Sequence, residues 1–111
     1  MDTEHLQIIK IALEHRISKI GRMLEQPGSA ALKQDLAEMR VQTVAIMSRL
    51  DNPETFKDPI VKAALAHYHV DLVLEVKAIS QQLGASDMAG LRKEIGRCAG
   101  LLKVIEKMQA S

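Results

Sequence analysis

Four interruptions constrain this chain more than any other feature. Pro27-Gly28-Ser29, Asp58-Pro59 and Gly84-Ala85-Ser86 each set a helix breaker beside a residue able to cap the next helix, and Asp51-Asn52-Pro53 ends the second. They set apart four segments with apolar residues at three- and four-residue steps, the period of a helix with one buried stripe. Asp2 or Thr3 can cap the first. Asp58-Pro59 pairs an N-cap with proline at the first helical position, where its missing N–H costs nothing. The expected helices span about 4–26, 30–50, 59–83 and 87–109, each ~34 Å long at ~1.5 Å per residue. "PGS" and "GAS" suit tight turns within helical hairpins, and the longer "DNPETFKD" joins one hairpin to the other. The fold expected is all-α: an antiparallel four-helix bundle of two hairpins, one domain over residues 1–111, closed within the chain or completed by dimerisation.

The stripes name the expected core. They are Leu6, Ile9, Leu13, Ile17, Ile20 and Leu24, then Leu32, Leu36, Met39, Thr43, Ile46 and Leu50. The second half adds Val61, Leu65, Tyr68, Leu72, Val76, Ile79 and Leu83, then Met88, Leu91, Ile95, Cys98, Leu102 and Ile105. Aromatic residues are only 2% of the chain against 47% hydrophobic ones, so the core must be aliphatic and methionine-rich. A faint echo links "LKQDLA" at 32–37 with "LRKEIG" at 91–96, both ordinary amphipathic patterns.

Charge and cysteine usage narrow the function classes. The net charge of +1 calls for neither nucleic acid nor membrane as a partner, so any such preference needs a local patch. No apolar run approaches the ~18 residues of a membrane span. Asp2, Glu4, His5 and Lys10 spoil a signal-peptide reading of the N-terminus. The single Cys98 has no partner for an internal disulfide. A cytoplasmic protein is expected.

"HYHVD" at 67–71 gathers two of the four histidines and a carboxylate. On a helix, His67 and His69 lie about 200° apart and cannot share a ligand. His67 and Asp71 have the i, i+4 spacing of helical metal ligands, but no further ligand is in register. His69 and Tyr68 read as packing residues, with the tyrosine hydroxyl at the rim. No metal, cofactor or catalytic residue is expected, and an enzyme is not. Gly90, Gly96 and Gly100 sit inside the fourth helix rather than in a phosphate-cradling loop, and Cys98 lies on the apolar stripe. The carboxylates read as parts of solvated faces.

"HRISKIG" at 15–21 resembles the histidine-phosphotransfer domains, four-helix bundles of similar length with His-x-x-Lys-Gly on a helix. The resemblance would make His15 a phosphoacceptor. Here Lys19 follows His15 by four residues instead of three, and Gly21 does not adjoin it.

Two features go beyond a plain bundle. Apolar residues stand behind the core stripes, and Ile8, Ile11, Val70, Leu74, Leu101 and Met108 are the expected protein interface. Val41, Val44 and Val104 lie behind their stripes too. The fourth helix also carries Arg92, Lys93, Arg97, Lys103 and Lys107 within roughly 140° of arc, with Gly96 and Gly100 among them. This is a possible anion or nucleic-acid face, without the aromatics that base stacking needs. The expected function is a small non-enzymatic protein–protein interaction module: a self-associating adaptor, an assembly or secretion chaperone, or a small inhibitor of bacterial or phage type. A homo-oligomer, preferentially a dimer, is expected, with a nucleic-acid accessory protein as the alternative.

Overall fold

The computed structural model describes residues 3–83 and 88–110. It contains four α-helices: α1 (Thr3–Glu25), α2 (Ala30–Met47), α3 (Pro59–Leu83) and α4 (Ala89–Ala110). No strand occurs among the described residues. The anticipated caps are in place where they fall in that range. Ser29 Oγ accepts the Leu32 N–H at 3.1 Å, and Asp58 Oδ1 accepts the Ile60 N–H at 2.9 Å, with Pro59 opening α3. The expected Asp2 cap, the stop at Gly84 and the Ser86 cap lie outside the described residues.

Two local readings change. α2 ends at Met47 rather than near residue 50: the Ser48 amide still makes the helical bond to Val44, but the Arg49 amide turns to Ile46, only three residues back. The connection at 51–58 is not a bare loop. Asn52 Oδ1 accepts the Glu54 N–H and opens a short 3-10 helix, Pro53–Lys57, which buries Phe56 in the core. Thr55 Oγ1 donates at 2.6 Å to the Arg49 carbonyl, which also accepts the Asn52 N–H at 3.0 Å.

The helix contacts are those of a bundle, but an opened one. α1 packs on α2 and on α3, and α3 packs on α4, while α2 only grazes α3. The core cluster is aliphatic, with Ile9, Leu13, Val61, Leu65, Leu101 and Ile105 fully covered and Phe56 closing one end. Gln109 Nε2 donates to the Asp58 carbonyl at 3.1 Å, tying the end of α4 to the start of α3. The molecule measures 41 × 40 × 21 Å, a slab. A closed four-helix bundle of ~10 Å interaxial spacing is about 20–25 Å across in both directions perpendicular to its axis. The radius of gyration is 15.4 Å, where a compact domain of this length has about 13 Å. α2 therefore lies at an edge, and Leu32, expected in the core, is exposed.

Leu13, fully buried between helices, should cost about 2.5–5 kcal/mol of unfolding free energy as Leu13→Ala. Leu32→Ala should stay within about 0.5 kcal/mol. Urea denaturation of the two variants checks both values.

Candidate functional site

The six expected interface residues separate into three groups. Ile11, Val70 and Leu74 are exposed, Leu74 at 56%. Ile8 and Leu101 are corrected: at 3% and 1% exposure they belong to the chain's own core. Met108 is half-buried against that core. The reasons are geometric. α1 has neighbours on two sides, which widens its buried arc beyond one stripe to take in Ile8 and Ala12. α4 is turned by roughly 40° from the expected stripe, at ~100° per residue, so that Cys98, Leu101 and Ile105 point inward. The exposed apolar surface includes residues outside the expected set: Val41 at 69%, Val44, Met23, Leu32 and Val104. Val41 and Val44 lie on the edge helix, as their place behind the α2 stripe indicated.

The basic face of α4 is outward. Arg92, Lys93, Arg97, Lys103 and Lys107 are all exposed. Arg97 is engaged, its Nε donating to Glu4 of α1 at 2.9 Å. A Cβ added at Gly96 or Gly100 would meet nothing within 4 Å, so no contact inside the chain requires glycine there.

"HYHVD" proves to be half of a polar seam between α1 and α3. Asp71 Oδ2 accepts from His15 Nε2 at 2.7 Å and from Lys19 Nζ at 3.0 Å. Neither Asp71 nor the His15 and Lys19 of "HRISKIG" belongs to a free solvated face, correcting the sequence reading. The signal was the i, i+4 spacing of His15 and Lys19, but their partner stands 52 residues or more further on. The His15 ring tilts against Tyr68, centroids 5.4 Å apart. His67 faces away from His69 and accepts from Arg16 Nη1 at 3.4 Å. Among the described residues, no three of His, Cys, Asp and Glu converge as metal ligands would.

The electrostatics follow from burial and these pairs. Hydrogen bonds from His15, then Lys19, hold the Asp71 carboxyl below its ordinary value of 3.8. Burial, with Glu94, Cys98 and Glu75 nearby, pushes the Tyr68 phenol up to about 12. Burial and then Glu94 push the Cys98 thiol up to about 11, so it stays protonated at neutral pH and is a poor nucleophile.

Two clefts stand out. One of about 400 Å³ lies between the start of α1, the 50–56 turn and the end of α4, lined by Leu6, Leu50, Phe56 and Val104 among others. The second, of about 280 Å³, is lined by His15, Arg16, Lys19, Ile20 and Met23 of α1, by Leu36 and Met39 of α2, and by His67 of α3. Arg16 has no ion-pair partner among the described residues, and its Nε is covered without an acceptor. A buried donor left so costs about 1–3 kcal/mol.

These surfaces define a small all-helical protein with exposed apolar faces and a cationic cleft. Compared with known proteins, the chain matches no family model, no curated protein and no solved structure. No helix among the described residues is long and apolar enough to cross a membrane.

Asp71 gives a pH test with a defined sign. Its lowered folded pKa supplies stability that is present above the ordinary carboxylate range and lost as pH falls through the folded value. Asp71→Asn should therefore be less stable than the parent by about 0.5–1 kcal/mol at pH 7. The gap should close as pH falls from about 4 towards 2, read from urea midpoints across pH. Gly96→Ala and Gly100→Ala should each raise stability by up to about 1 kcal/mol in thermal melts, because the helix gains propensity and loses no contact.

Proposed function

We propose that this chain is a protein-interaction module that works by self-association, two antiparallel hairpins whose open slab is covered by a second copy. The observation that carries the reading is surplus surface. The chain exposes 7142 Å², whereas a compact protein of 12.3 kDa exposes about 6100 Å². The excess of about 1000 Å² compares with the ~800 Å² that each partner buries in a standard interface. It coincides with apolar side chains, Val41 and Val44 on α2 and Val70 and Leu74 on α3. Covering a Leu or Val of this kind stabilises by about 1.5–3 kcal/mol when complete.

The hairpin reading draws support from contacts at opposite ends of α3 and α4. Ser80 Oγ reaches Met88 Sδ at 3.7 Å and Lys62 Nζ lies 3.8 Å from Glu106, as oppositely directed helices require. Ile20 and Met23 of α1 share a cleft with Leu36 and Met39 of α2, which fits the same arrangement for the first pair. An adaptor, a chaperone or a small inhibitor would each use such a surface, and no reaction is needed for it.

A second reading has its own observation. Arg92, Lys93, Lys103 and Lys107 stand exposed on α4 without an ion-pair partner among the described residues. They could contact a phosphate backbone, and binding of that kind weakens steeply as salt rises.

Leu74→Glu and Val41→Glu test the first reading. At least one should shift the protein to a smaller species in light scattering with its helical circular dichroism unchanged, since a charge desolvated in an interface without a pairing group costs several kcal/mol. A monomeric parent, with salt-sensitive retention on DNA or RNA lost when the four α4 cations become Gln, would replace it with the second.

A further inference from the structure

The cleft between α1, α2 and α3 combines three properties that belong to a ligand site rather than to surface roughness. The first is a surplus of positive charge. Arg16 and Lys19 line it, and the one carboxylate beside them, Asp71, already takes Lys19 and His15. No carboxylate is among the lining residues. The cluster therefore carries one cation more than it has anions.

The second property is an unmet demand for an acceptor. The Arg16 guanidinium has only the long contact to His67 Nδ1, and its Nε meets none. A neutral imidazole is a weak partner for a group whose planar fork matches a carboxylate. The third property is a greasy wall. Ile20 and Leu36 are buried, and with Met39 and the exposed Met23 they supply the apolar part of the lining, from α1 and α2. Methionine adapts to irregular apolar shapes.

We propose that this cleft binds a small amphiphilic monocarboxylate, its carboxylate paired with Arg16 and Lys19 and its hydrocarbon body laid against Ile20, Leu36 and Met39. One surplus cation selects a monoanion, and a phosphate dianion would leave a negative charge uncompensated. A volume of about 280 Å³ is that of about nine waters at ~30 Å³ each, which suits a molecule of about ten non-hydrogen atoms, the size of octanoate. The site lies within one chain and does not rest on self-association.

Calorimetric titration of the full chain with octanoate tests it, with acetate and octanol as the headgroup-only and tail-only arms. Octanoate binds saturably at one per chain, and both other ligands bind at least about tenfold more weakly, ~1.4 kcal/mol. Arg16→Gln weakens octanoate by about tenfold or more, and Met23→Trp, which fills the cleft from an exposed position, removes binding with helical content unchanged. The absence of saturable octanoate binding overturns the proposal. So does acetate or octanol binding as tightly as octanoate, or retention of full affinity in Met23→Trp. If Arg16→Gln fails to fold, Lys19→Gln and Met23→Trp decide between the same outcomes.

Discussion

α1 lies between α2 and α3, and its double contact organises the molecule. A helix with one neighbour needs a single apolar stripe, but one with two must be covered over a wider arc. Ile8, Ile9, Ala12, Leu13 and Ile20 provide that arc, and all five are buried. Val61, Leu65 and Leu72 of α3 join the same cluster, with Cys98, Leu101 and Ile105 brought in from α4. With Tyr68 on α3 as the α-helices' single Phe, Tyr or Trp, this core depends on close fit among aliphatic side chains, and Phe56 enters from the connecting turn to close it.

The same seam carries polar groups where it reaches solvent. His15, Arg16 and Lys19 of α1 meet His67 and Asp71 of α3, and the single carboxylate answers two of the three basic side chains. Partial exposure keeps the net worth of these ion pairs small, since water competes for both partners. Their consequence is spatial. They fix one side of the cleft whose other side α2 supplies, so the cleft exists only because α1 touches both neighbours.

An interior α1 also leaves α2 and α4 at the margins. Each margin shows a different character: valines on α2, and arginines and lysines on α4. Val70 and Leu74 add an outward apolar strip on α3, on the side away from Val61 and Leu65. An open slab of four helices has too few neighbours to cover its apolar residues, and mass action with a second copy is the physical remedy we favour.

Helix positions were legible in the sequence because caps and breakers act over three or four residues. Ser29, Asp58 and Pro59 do what their local chemistry requires in any fold. Most stripe residues were legible too, since a 3.6-residue period is local. What the period does not carry is how many neighbours a helix has. Ile8 and Leu101 read as surface and are core, whereas Leu32 read as core and is exposed, because burial depends on which helices arrive and at what rotation. The pairing of Asp71 with His15 and Lys19 was hidden for the same reason. Asp71 in "HYHVD", and His15 and Lys19 in "HRISKIG", look like parts of solvated helix faces on their own, and only the packing of α3 on α1 brings them within 3.0 Å. Local hydrogen bonding decided the elements; long-range packing decided the faces, the ion pairs and the cleft.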